Sequence, residues 1–140
     1  MNSVKVFNTH RKHRVRSAET IRLVRRVLKG ERCSDAELNI VFIDDNRMLD
    51  LNTSYLRHRY PTDVISFSFA DNGKKKIEGE VYINIDQAKR QSEEYSVSMS
   101  NELQRLVAHG VLHLLGYDDA TKRQRAAMTK REDFYLQEMN

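Results

Sequence analysis

The chain has 140 residues, of which 39% are hydrophobic and 31% charged, with a formal net charge of +4. That composition excludes a disordered or fibrous polypeptide, and the length suits a single domain around one core, read here as residues 1–140. No apolar run approaches the ~18 residues of a membrane span, and Met1 to His10 has no apolar stretch of signal-peptide length, so a cytoplasmic protein without membrane attachment is expected.

Val4 to Phe7 reads as a short first strand. From Ser17 to Lys29, apolar Ile21, Val24 and Leu28 recur at helical spacing. Ser17 is placed as its N-cap and Gly30 as its stop. Glu37 to Ile43 alternates as a strand does, with Leu38, Ile40 and Phe42 on one face. Asp44 or Asp45 can cap a helix to about Tyr55. Val64 to Ala70 and Lys76 to Ile85 are rich in β-formers. Asp71-Asn72-Gly73 between them is a hairpin signal. Asp86 can cap a helix to about Tyr95, Ser98 or Ser100 opens another, and a last helix spans about Thr121 to Met139. This order predicts an α+β fold, one small mixed sheet of about four strands covered by helices. The lone Cys33 cannot close an internal disulfide, which fits a reducing compartment, and it reads as a small packing residue.

Positive charge is clustered. His10, Arg11, Lys12, His13, Arg14 and Arg16 form one run. Arg22, Arg25, Arg26 and Lys29 follow on one arc of the first helix, and with the first run they form a candidate phosphate-facing surface, the bland alternative being solvated surface. Lys74, Lys75 and Lys76 read as solvated surface. No known nucleic-acid-binding module is visible, and aromatics do not interleave with the basic residues.

The strongest chemical signal is His109-Gly110-Val111-Leu112-His113-Leu114-Leu115-Gly116-Tyr117-Asp118-Asp119. On a helix, His109 and His113 share a face, with Cβ atoms about 5–6 Å apart. Gly116 follows the last periodic residue, where a left-handed turn usually ends a helix. That turn can return Asp119 to the two histidines. Two imidazoles and a carboxylate make the three-ligand set of a catalytic zinc site. The spacing follows the metzincin pattern with Asp in the third ligand position, so the segment is a zincin-like metal helix. Asp118 is the alternative carboxylate. The zincin general base is Glu at the second position, and here Gly110 stands there. Peptide hydrolysis by that mechanism therefore lacks its base. A glycine inside a helix costs about 1 kcal/mol relative to alanine, which implies a need for space, for substrate or for a neighbouring element.

Two blocks make the chain resemble the YbeY family of bacterial endoribonucleases that mature ribosomal RNA. One runs from Leu51-Asn52-Thr53-Ser54-Tyr55 through Pro61-Thr62-Asp63-Val64-Ile65-Ser66-Phe67, and the other is the histidine segment. Gly79-Glu80-Val81-Tyr82-Ile83 is a weaker third match. Two positions depart from the family pattern. Its third ligand is usually histidine where this chain has Asp119, which also ligates zinc, at about 2.0–2.2 Å, but makes bound water less acidic and suits harder divalent metals better. Its functional arginine directly follows the motif tyrosine, a place held here by Leu56. Arg57, His58 and Arg59 come next.

The resemblance implies a zinc-dependent endoribonuclease with one metal per chain, or another divalent ion. Its implied partners are single-stranded ribosomal RNA and the small ribosomal subunit, in rRNA processing and ribosome quality control. His109, His113 and Asp119 are the expected metal ligands. Arg57 and His58 are the candidate catalytic residues: Arg57 or Arg59 would hold charge developing on phosphate, and His58, metal hydroxide or the substrate phosphate would be the base. Arg22, Arg25, Arg26 and Lys29 are the candidate RNA-binding residues. Thr62, Asp63 and Ser66 either line the site or serve turns. The rival readings are a non-catalytic, metal-stabilised ribosome-assembly factor and a zinc hydrolase of another substrate.

Overall fold

A computed structural model describes residues 2–56, 62–69 and 76–137. Four strands form one mixed sheet in the order β1-β2-β4-β3, with β1 Asn2–Asn8, β2 Ala36–Ile43, β3 Val64–Ser68 and β4 Ile77–Asn84. β1 and β4 both run parallel to β2, and β3 lies antiparallel on the β4 edge. The helices are α1 Ser17–Gly30, α2 Asp45–Leu51, α3 Ile85–Glu94, α4 Met99–Leu114 and α5 Lys122–Gln137, and a π-helical turn, Asn52–Leu56, extends α2. The expected α+β fold and its element order are observed. The expected hairpin turn at Asp71-Asn72-Gly73 lies outside the described residues.

Strand alternation decides which helices cover which face. Leu38, Ile40 and Phe42 of β2 and Val81 and Ile83 of β4 are buried with Leu23, Val24, Val27 and Leu28 of α1 and Leu103, Val107 and Val111 of α4. Each such aliphatic side chain contributes about 1.5–3 kcal/mol on burial, so α4 is clamped to the sheet along most of its length. Ile43, Met48, Leu51 and Ile65 form a second, smaller cluster between α2 and the opposite face.

Local polar groups set the helix starts. The Asp44 carboxylate accepts from Arg47 N (2.9 Å), and Ser98 Oγ accepts from Asn101 N (3.0 Å). Both are ordinary N-caps. Three expected boundaries move. Arg16 holds the N-cap position of α1, so Ser17 is its first helical residue. The buried Asn84 caps α3, accepting from Asp86 N at 3.1 Å; Asp86 instead accepts from Asp45 N at 2.9 Å, tying α3 to α2. α1 runs through Gly30 rather than stopping before it, and the Tyr135 ring of α5 lies where a side chain at position 30 would stand. The left-handed residue comes at Arg32, with φ 59°.

Candidate metal centre

α4 carries both motif histidines, one turn apart. Its C-terminus is closed by the predicted glycine. Gly116 takes φ +106°, its N–H donates to His113 O (3.1 Å), and Tyr117 N–H donates to Leu112 O (3.1 Å). This is the double hydrogen-bond pattern of a Schellman stop, which only glycine adopts without strain. The chain then turns back over the helix, and Asp119 Oδ2 comes to 3.2 Å from His109 Nε2. Asp119, not Asp118, is the carboxylate at His109.

The other face of the His109 ring is held from α5. His109 Nδ1 lies 2.7 Å from Glu132 Oε2. A carboxylate can only accept, so Nδ1 carries the proton and Nε2 faces Asp119. Glu132 is 5% exposed and also accepts from Arg105 Nη1 at 3.0 Å, while Arg105 Nη2 donates to Asp133 at 2.6 Å. Burial alone disfavours the charged imidazole. The Glu132 hydrogen bond and the Glu132, Asp119 and Asp63 charges outweigh it and raise the His109 pKa above its ordinary value. A metal at Nε2 would compete with a proton for that nitrogen.

This donor set suits a divalent metal. An imidazole whose second nitrogen is fixed by a buried carboxylate is the usual arrangement around zinc. The structure joins two of the three expected ligands, His109 and Asp119. The His113 side chain is exposed on the same helix. Among the described residues no three His, Cys, Asp or Glu side chains converge as a ligand group.

Gly110 faces the sheet. A Cβ there would sit 2.4 Å from Val81 Cγ1 and 3.2 Å from both Ser66 Oγ and Val64 Cγ2. Of the two needs for space, the neighbouring element is the one observed. Ser66 Oγ donates to Gly110 O at 2.9 Å, binding β3 to the helix. Thr62 is likewise structural, its hydroxyl and carbonyl accepting from the Asn52 and Asn84 amides at 3.2 Å. Asp63 instead lines a cavity of about 390 Å³ together with Tyr95, Glu102, Arg105, His109 and Glu132.

The candidate catalytic residues Arg57 and His58, with Arg59, lie outside the described residues. Among the candidate RNA-binding residues, Arg22, Arg25 and Lys29 are exposed on α1. Arg26 is half-buried and donates from Nε to Tyr135 O (3.2 Å), which gives it a packing role. Glu132 was missed in the sequence. It sits in the run Lys130-Arg131-Glu132-Asp133, which reads as solvated helix surface, and only the packing of α5 on α4 brings it to His109.

A four-stranded mixed sheet covered by helices, one of which carries His109 and His113, defines an α+β protein. The family described as Endoribonuclease YbeY matches residues 5–140, and the chain belongs to that family. A relative named Endoribonuclease YbeY from Chloroherpeton thalassium is 44% identical over 110 residues, covering 79% of this chain and 77% of the relative. Another of that name from Chlorobium luteolum is 36% identical over 136 residues and covers 97% of each. A solution structure of a Thermotoga maritima protein shares the fold, with a TM-score of 0.68 at 21% identity over 97% of this chain and 88% of that one. No helix among the described residues is long and apolar enough to cross a membrane.

Proposed function

We propose that the chain is a metal-dependent endoribonuclease that cleaves single-stranded RNA during ribosomal RNA maturation, acting on the small subunit in the cytoplasm. Family membership supports the RNA-cleaving activity. The observation that carries the metal reading is the His109–Asp119 contact, backed by the buried Glu132 at the other ring nitrogen.

His109, His113 and Asp119 would hold one zinc, or a similar divalent ion, per chain. When bound, such an ion supplies Lewis acidity toward a phosphoryl oxygen and a more acidic water. Glu132 orients His109 and keeps its Nδ1 protonated, leaving Nε2 as the donor. Arg105 shares Glu132 and so holds that carboxylate in place. Asp63 adds a carboxylate on the cavity wall. Position 110 has no room for a base, so proton transfer falls to other groups, with His58 the nearest sequence candidate. Arg57 is the proposed cation for the developing phosphate charge.

The test is a digestion panel with purified protein. Internal cleavage of single-stranded RNA, with no cleavage of casein or peptide amides, is expected. Peptide hydrolysis without RNA cleavage would overturn the reading.

A further inference from the structure

A second cleft opens on another side of α4, beside Phe42 at the carboxyl end of β2. It has a volume of about 330 Å³ and lies between the loop before α1 and the first turns of α1 and α4. Ser100, Leu103, Gln104 and Val107 of α4 line it, whereas Asn101, Glu102, Arg105 and His109 line the cavity of the candidate metal centre. The two sets interleave along the same stretch of α4 and share no residue, so the two sites lie on different faces of the helix.

The cleft wall has two chemistries. Val15, Met99 and Leu103 give it an apolar side, and His13, Arg14 and Arg16 give it a cationic rim. Glu19 is the acidic lining residue, and Arg16 Nη1 meets it at 3.4 Å. Arg14 is exposed and has no hydrogen-bond or ion-pair partner among the described residues. The loop that presents it is pinned. His10 Nδ1 accepts from Lys12 N (3.2 Å) and His13 N (3.0 Å), His10 Nε2 meets Asp86 Oδ1 at 2.8 Å, and Asn8 Nδ2 donates to His13 O at 2.9 Å. An unpaired arginine on a braced loop beside an apolar wall is complementary to a phosphate joined to a flat ring.

We infer that this cleft holds one unstacked nucleotide of single-stranded RNA, its phosphate on Arg14, Arg16 and His13 and its base against Val15, Met99 and Leu103. This rests on the RNA reading above and adds a second contact point for the strand, apart from the metal centre. Duplex RNA keeps its bases stacked and cannot enter, so the cleft selects single strands.

The test is fluorescence anisotropy of a labelled uridine 12-mer with the full chain, across a salt series. Arg14→Ala is expected to weaken binding about 3–10-fold and to flatten the log–log salt slope by about 0.7, one phosphate contact on a single strand. Arg14→Glu weakens it further, well beyond Lys130→Glu, which makes the same charge change at an exposed α5 residue outside the cleft. An abasic strand of equal length binds several-fold more weakly, and duplex RNA competes poorly. Circular dichroism spectra matching the unaltered protein show that both variants fold. Equal effects of Arg14→Glu and Lys130→Glu, or equal binding of the abasic strand, overturn the cleft while leaving the RNA reading intact. Displacement of the strand by uridine monophosphate at comparable concentration overturns it in favour of a free-nucleotide site. No binding of RNA by the unaltered protein removes both.

Discussion

Gly110→Ala sets two known effects against each other. Alanine is the better helix former by about 1 kcal/mol, so on an open helix face the change would stabilise. At position 110 the new methyl would stand 2.4 Å from Val81 Cγ1, with Ser66 Oγ and Val64 Cγ2 at 3.2 Å. Val81 is fully buried and cannot swing away, so α4 must lift from β3 and β4. Overpacking of this kind costs about 1–3 kcal/mol. Lifting the helix also stretches the Ser66–Gly110 hydrogen bond, worth about 1 kcal/mol. The sum is a net loss of about 1–3 kcal/mol, a fall of roughly 3–10 °C in Tm. Urea and thermal unfolding of Gly110→Ala, Val81→Ala and the double variant would measure it. Val81→Ala alone opens a cavity and costs about 1–3 kcal/mol; the added methyl fills part of that space, so the double variant should be at least about 1 kcal/mol more stable than additivity gives. A Gly110→Ala protein as stable as the unaltered chain, or additive costs in the double variant, would refute the close-packing explanation of the glycine.

Two further outcomes follow from carboxylates held by several donors. Glu132→Gln keeps the volume but loses the charge behind His109; metal retention in a chelator competition should fall about 10–100-fold, and retention equal to the unaltered chain would show that Glu132 does not orient the ligand. Glu31 sits among Tyr135, Arg131 and Tyr117, all donating to it. Burial pushes its carboxyl up, but those three bonds prevail and hold it below its ordinary value of 4.5. A depressed carboxylate contributes stability above that value and loses it as pH falls through the lower folded-state pKa. Glu31→Gln should therefore cost about 1–3 kcal/mol at pH 7, with the deficit shrinking below pH 4.5. A deficit unchanged down to pH 3 would count against this role.

Features set by local pattern were legible in the sequence. Alternation placed Leu38, Ile40 and Phe42 on the buried face of β2, and the Gly116 stop followed from position alone. That turn also allowed a return of Asp119 to His109, although its own hydrogen bonds end at Tyr117. Features set by tertiary approach were not legible. Gly30 looks like a terminator, yet it is a helical residue cleared for the Tyr135 ring. Asp86 looks like a cap, but Asn84 lies two residues earlier, buried at the strand end, and takes the first-turn N–H groups. Glu132 looks like one more solvated charge in a charged helix, and nothing local marks it as the partner of His109. The need for Gly110 was visible as a cost, but its cause, Val81 on β4, was not. The basic run of residues 10–16 read as one patch. The structure divides it, with His10 bracing the loop and Arg14 facing outward.

If His109, His113 and Asp119 hold a metal needed for RNA cleavage, metal depletion and restoration are the most direct test. Chelated and desalted protein should fail to cleave a labelled single-stranded RNA, and about one equivalent of zinc per chain should restore internal cleavage. His109→Ala/His113→Ala should neither take up the metal nor regain activity. Cleavage that persists in the chelated protein, or that zinc restores in the double variant, would contradict the account.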